Sequence, residues 1–118
     1  MKPVITTRRI YEGPETNDGC RILVDRLWPR GVTKEKAALT EWAKYLAPST
    51  ELRKWYDHSA ELWPEFQKKY LEELKANSNV AAFVNTYKRE KHITLLYSVK
   101  SPDHNHALVL KLLLEQKM

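Results

Sequence analysis

Two apolar runs constrain the fold of this 118-residue chain more than anything else in it. Arg21-Ile22-Leu23-Val24-Asp25 is a short apolar stretch closed by charge, and Ile93-Thr94-Leu95-Leu96-Tyr97-Ser98-Val99 is the strongest strand signal in the sequence. Runs of this kind suit strands covered on both faces, as in a parallel sheet packed between helices. The second run leads into Ser101-Pro102, which reads as an N-cap and first helical residue. The segment from there to about Gln116 is apolar on nearly all sides, which predicts a buried helix.

The remaining elements fit the same plan. Val4-Ile5-Thr6-Thr7 reads as a strand and Glu12 to Gly19 as a polar loop. Thr33 is placed to cap a short helix to Ala38. The segment Ala38 to Leu46 carries a helical stripe (Leu39, Trp42, Ala43, Leu46) yet also accommodates a short strand. Ser49 is the expected N-cap of a helix to about Tyr56, with Glu51 favourable in its first turn. Ala60 to Asn77 is the clearest helix, because Trp63, Phe66, Tyr70 and Leu74 recur at helical spacing and Pro64 falls near the start, where it is tolerated. Val80 to Lys88, with Asn79 as its N-cap, predicts another. Strand, loop, strand, helices, strand, helix describes an α/β fold: a single compact domain over 1–118, with a small, mostly parallel sheet packed by helices.

Composition narrows the function classes. Three Gly, six Pro and one Cys exclude collagen-like, low-complexity and disulfide-scaffold chains. The apolar runs are far shorter than the roughly 20 residues of a membrane span. Met1-Lys2-Pro3 leads straight into the first strand without a signal-peptide core, so a cytoplasmic protein is expected. The net charge of +5 is densest at the N-terminal end, where residues 1–36 hold 8 basic and 5 acidic side chains. Arg8, Arg9, Arg21, Arg26 and Arg30 dominate that excess, and Arg presents a planar fork suited to phosphate or carboxylate. Cys20 stands alone, which rules out an intrachain disulfide and a thiolate metal cluster.

In open α/β sheets, ligands gather beyond the carboxyl ends of the strands. Two strand ends here carry chemistry. The first is Asp25-Arg26-Leu27-Trp28-Pro29-Arg30-Gly31, a stiffened turn with a carboxylate, two guanidiniums and a large aromatic. It reads either as an Asp25–Arg ion pair tying the loop down or as an anion cradle with Trp28 as lid or stacking platform. The second is Lys100 to His106, where Asn105 and His106 fall in the first turns of the last helix. Histidine is the side chain whose ordinary range lies near neutrality, so the residue type at 106 suits proton transfer. Arg53 and His58 lie on or just after the Ser49 helix, either solvated or turned toward the same crevice. His104 and His106 are spaced too closely to share a helix face, so no metal site is expected. Gly-rich phosphate loops and nucleophile elbows are absent, and the sequence carries no cofactor signature and fixes no oligomeric state.

These residues form a pattern. Asp18-Gly19, the run Arg21 to Gly31 with Val24-Asp25-Arg26-Leu27-Trp28-Pro29-Arg30-Gly31 in it, Pro48-Ser49, Leu52-Arg53-Lys54-Trp55, His58, Phe66, Tyr70, Glu73-Leu74, Leu95-Leu96-Tyr97 and Asn105-His106-Ala107 together resemble the YeaO-like family of small bacterial proteins of unknown function. The resemblance covers nearly the whole chain. It implies a compact α/β domain and brings no settled activity, substrate or cofactor. It marks Asp25, Arg26, Trp28, Pro29, Arg30, Gly31, Arg53, His58, Asn105 and His106 as family-pattern positions, while Cys20 is incidental to it.

Three functions follow as expectations. The first is a small-molecule site for a phosphate or carboxylate. In it Arg26, Arg30 and Arg53 hold the anion, Asp25 orients a guanidinium, Trp28 covers, Asn105 donates, and His58 or His106 moves a proton if there is catalysis. The second is a protein-interaction or structural module without catalysis. The third, less favoured because the surface charge is mixed, is nucleic-acid binding.

Overall fold

The computed structural model describes residues 2–118. In chain order it contains strand β1 (Val4–Arg9), strand β2 (Cys20–Leu23), helix α1 (Lys34–Ala37), strand β3 (Glu41–Trp42), helices α2 (Thr50–Tyr56), α3 (Trp63–Lys75) and α4 (Asn79–Tyr87), strand β4 (His92–Tyr97) and helix α5 (His106–Lys117). Single 3-10 turns lie at Ile10–Glu12, Lys44–Leu46 and Ala60–Leu62. The four strands form one all-parallel sheet in the order β1-β4-β2-β3, so the α/β architecture read from the sequence is the architecture of the chain.

Successive residues of a strand point to opposite faces. On one face Ile5, Ile22, Val24, Ile93, Leu95 and Tyr97 meet the inner sides of α2 to α5 and form the main core. On the other, Leu23 and Leu96 pack with Ile10 and Ala37 in a small core rimmed by Trp28, Val32, Leu39 and Trp42. Its cover is thin: α1 and the loop between β1 and β2. That same face carries Arg21 and Thr94, both buried, beside buried Asp18.

Local chemistry explains most boundaries. Thr33 Oγ1 accepts the Lys36 N–H and Ser49 Oγ accepts the Leu52 N–H, so α1 and α2 begin at the expected caps. α3 buries Phe66, Tyr70 and Leu74 on one side, with Pro64 in its first turn. The ambiguous segment resolves into the two-residue β3 followed by a 3-10 turn, so its stripe belongs to a strand edge.

Several helix starts differ from expectation. α3 begins at Trp63, after the 3-10 turn over Ala60–Leu62, and α4 takes in Asn79 as its first residue rather than its cap, with Ser78 at the N-cap position. α5 begins at His106, four residues after Pro102, and its N-cap is Asn105. The Asn105 carboxamide accepts the Leu108 N–H while donating to the carbonyls of Ser101 and Pro102. One side chain thus satisfies both the helix start and the turn before it, which the Ser101-Pro102 pair does not do.

Gly19 is demanded by space as well as by conformation. Its φ is +64°, and a Cβ there would stand 2.2 Å from the carbonyl oxygen of His92. This is where the loop threads against the start of β4 to enter β2.

Candidate functional site

The carboxyl ends of β2, β3 and β4 converge on Asp25. Val24 N–H still donates to Leu96 O, prolonging the sheet by one residue and delivering Asp25 to its rim. The indole N–H of Trp42, at the end of β3, donates to Asp25 O at 2.7 Å. Ser98 N–H, just past β4, donates to Asp25 Oδ2 at 3.0 Å. Asp25 is 8% exposed, and its neighbours fix it from three directions.

Helix α5 brings His106 onto this rim. Its Nε2 lies 2.9 Å from Val24 O and 3.1 Å from Asp25 Oδ1. Both are acceptors, so Nε2 carries the proton. The bond is directed at Val24 O; Asp25 Oδ1 sits beside the ring nitrogen as a charge and has no aligned donor of its own. Carboxylate and carbonyl together fix the imidazole's orientation and tautomer. Nδ1 has no hydrogen-bond partner among the described residues. Below the ring lies buried Tyr70, edge-on at 6.3 Å between centroids, its hydroxyl donating to Leu46 O. Burial pushes the Tyr70 hydroxyl far above its ordinary value; Glu73 and Asp25 add to that and Arg26 opposes it. Tyr70 is therefore a neutral wall.

Two guanidiniums belong to the same strand ends, Arg26 directly after Asp25 and Arg9 bound to the carbonyl of Ser98. Arg26 donates from Nε to Pro48 O at 3.1 Å and from Nη2 to Ala47 O at 3.3 Å. Arg9, ending β1, donates from Nε to the carbonyls of Ser98 and Val99 at 3.1 and 3.2 Å. Arg9 is pinned through Nε alone and keeps both terminal nitrogens unpaired, whereas Arg26 is pinned through Nε and Nη2 and keeps Nη1 unpaired. Pinned forks lose little further entropy when they grip an anion.

The other expected residues are placed differently. Asp25 contacts His106 and Ser98, and no arginine, which removes both the Asp25–Arg tether and the orienting of a guanidinium by Asp25. Trp28 donates its indole N–H to Val32 O and meets Trp42 edge-on at 5.3 Å, so it belongs to the rim of the small core rather than to a lid. The Asn105 carboxamide is occupied by its capping bonds. Arg30, Arg53 and His58 are exposed, and their side chains make no hydrogen bond or ion pair among the described residues. His58 follows the C-terminal end of α2 with φ +57° and makes no contact with Asp25 or His106. Sequence reasoning missed Arg9 and Ser98; a cation closing the β-branched run of β1 was the available signal for the first.

A second polar cluster lies inside the thinly covered face. Asp18 is paired with both Arg8 and Arg21 and accepts the Glu15 N–H. Burial alone would raise its carboxyl; the Glu15 N–H and the Arg21 and Arg8 guanidiniums reverse that and hold it below the usual range. At the opposite edge of the sheet, a shallow groove of about 450 Å³ includes Gly19, Cys20 and His92. Burial and neighbouring Glu90 push the Cys20 thiol up, away from a reactive thiolate. Among the described residues no group of three or more His, Cys, Asp or Glu is placed to hold a metal, and no helix is long and apolar enough to cross a membrane.

Comparison with known proteins identifies the family of the chain. A family model described as "Inactive DUF488-N3 subclade" matches residues 4–118. "Uncharacterized protein YeaO" of Escherichia coli (strain K12) is 44% identical over 106 residues, covering 90% of this chain and 92% of that protein. "Uncharacterized protein Rv3073c" of Mycobacterium tuberculosis is 37% identical over 110 residues, covering 93% and 92%. No solved structure matches the chain. With a family model spanning nearly its whole length and relatives this similar, the chain belongs to the inactive DUF488-N3 subclade, the family of YeaO-like proteins.

Proposed function

We propose that the protein is a small-anion-binding domain that recognises a phosphate or carboxylate at the carboxyl edge of its sheet without transforming it. The observation that carries this reading is the pair of backbone-pinned guanidiniums, Arg26 next to Asp25 and Arg9 on the Ser98 carbonyl, with the terminal nitrogens of Arg9 and Nη1 of Arg26 unpaired. His106 Nδ1 and the exposed side chain of Arg30 complete the polar lining. The surroundings are basic, since Lys44 and Lys100 also follow strands β3 and β4. Binding is favoured over catalysis because the family is described as inactive and because the contacts of His106 are to acceptors, with no serine or cysteine nucleophile among them. Leu27, 65% exposed in the middle of the Asp25–Gly31 loop, favours a second reading, a protein-interaction surface.

The test is calorimetric titration of the protein with inorganic phosphate, pyrophosphate and citrate at low salt, repeated with Arg9→Ala and Arg26→Ala. Saturable one-to-one binding that weakens about tenfold or more in each variant is expected. Wild-type affinity in both variants, or no binding of any of the three, removes the reading and turns attention to Leu27 and a protein partner.

A further inference from the structure

Beside the anion site stands an aromatic side chain that the core does not use. Tyr11 is 44% exposed, yet it is held at two points. Its hydroxyl donates to Arg30 O at 2.8 Å, and the Arg9 guanidinium lies over its ring at 4.5 Å from the centroid. Arg9 is itself fixed to the carbonyls of Ser98 and Val99, while Ser98 N–H holds Asp25. Ring, guanidinium and carboxylate are thus linked through a single residue of backbone. An exposed tyrosine normally retains its rotamer freedom; this one has lost it without gaining burial. A rigid, half-exposed ring with a cation on it, at the rim of a basic edge, is how proteins present a stacking surface next to a phosphate grip.

We infer that the ligand of this edge is a nucleoside phosphate, whose base stacks on the Tyr11–Arg9 platform while its phosphate takes the terminal N–H groups of Arg9 and Nη1 of Arg26. The inference rests on the anion-binding reading above and adds the aromatic half of the ligand. The same chemistry is offered by a free nucleotide and by one unit of a single strand. The side chain of Arg30, next to the carbonyl that anchors Tyr11, reaches either one.

Affinities of adenosine monophosphate, ribose 5-phosphate and inorganic phosphate are measured by calorimetry for the wild type, Tyr11→Ala and Tyr11→Phe. Circular dichroism confirms that each variant is folded. The nucleotide is expected to bind about tenfold more tightly than the ribose phosphate, which lacks only the base. That ratio falls to near one in Tyr11→Ala and is partly kept in Tyr11→Phe, where the ring remains but its tether to Arg30 O is gone. Equal affinity of nucleotide and ribose phosphate for the wild type overturns the inference and leaves the anion site standing. A ratio that persists in Tyr11→Ala overturns it as well, by placing base recognition elsewhere. Absence of binding by all three compounds removes both readings together. A fourth titration with an eight-residue oligothymidylate identifies the source: affinity far above the mononucleotide's, falling steeply with salt, marks a single strand, and affinity equal to it marks the free nucleotide.

Discussion

Asp18 and Asp25 are both buried acids flanking the same strand, β2, and they have opposite surroundings. Asp18, ahead of the strand, is enclosed by two permanent cations and a backbone N–H. Asp25, after the strand, meets one backbone N–H and a histidine whose own bond points elsewhere. The first arrangement gives both carboxylate oxygens partners that never change state, although Arg21 Nη2 beside them is buried without one. The second leaves Oδ1 without an aligned donor beside the His106 ring. A carboxylate needed only for the fold would be satisfied as Asp18 is. The difference separates the part of the molecule that holds the sheet together from the part we propose for a ligand.

The largest expected effect breaks the closed member of the pair. Asp18→Asn leaves buried Arg21 without a counter-charge under a thin cover, while Arg8 keeps only the exposed carboxylates of Glu12 and Glu15. Stripping one partner from a buried ion pair costs about 3–5 kcal/mol, which chemical denaturation will read directly. The pH dependence carries a sign. The folded carboxyl is held below its unfolded value of about 3.9, so its contribution is present above that pH and is lost as pH falls through the lower folded value. The gap between wild type and Asp18→Asn therefore narrows below about pH 4. A gap that is constant from pH 7 to pH 3 contradicts the role given to Asp18.

Asp25→Asn is expected to cost less, about 1–3 kcal/mol, the range for a buried polar group deprived of its charged hydrogen bond. The amide keeps an acceptor for Ser98 N–H but sets either that acceptor or its NH2 beside His106 Nε2. If Asp25→Asn proves as costly as Asp18→Asn, the two acids play the same structural part and the contrast between them fails. Asn105→Ala lies near the lower end of that range. It removes the N-cap of α5, worth about 1 kcal/mol, and the two bonds to Ser101 and Pro102. Its α5 amides should exchange faster at His106 to Leu108 than at the far end of the helix.

How much of this was readable from residues alone depends on the reach of each determinant. The strands announced themselves because Ile22 to Val24 and Ile93 to Tyr97 are apolar on both faces, a condition local to each segment. The caps at Thr33 and Ser49 were readable for the same reason, since donor and acceptor lie three residues apart. Asn105 was misassigned because Ser101-Pro102 satisfies the local rule equally well; the carbonyls that decide the matter belong to a turn whose shape is set by β4. His106 was recognised but its partner was not. Only the parallel register that sets Leu23 beside Leu96 brings Ser98 and His106 to Asp25. The pinning of Arg9 and Arg26 was out of reach altogether, because their acceptors are backbone carbonyls, which every sequence possesses. β3 is two residues long and offers no period to detect.

The smallest effect on stability is the sharpest test of the open member. Arg30 is exposed, its side chain makes no bond among the described residues, and the bond its carbonyl accepts from Tyr11 survives truncation. Arg30→Ala should stay within about 0.5 kcal/mol of the wild type, as surface changes do. Its effect should appear only with ligand present. A ligand at 100 times its dissociation constant raises stability by about 2.7 kcal/mol, which moves the melting midpoint of a chain this long by several degrees. With pyrophosphate at that concentration for the wild type, Arg30→Ala should show a visibly smaller shift. A variant that melts several degrees lower without ligand, yet responds to pyrophosphate as the wild type does, assigns Arg30 to the loop and not to the anion. The basic edge would then be reduced to the two guanidiniums that the backbone itself holds in place.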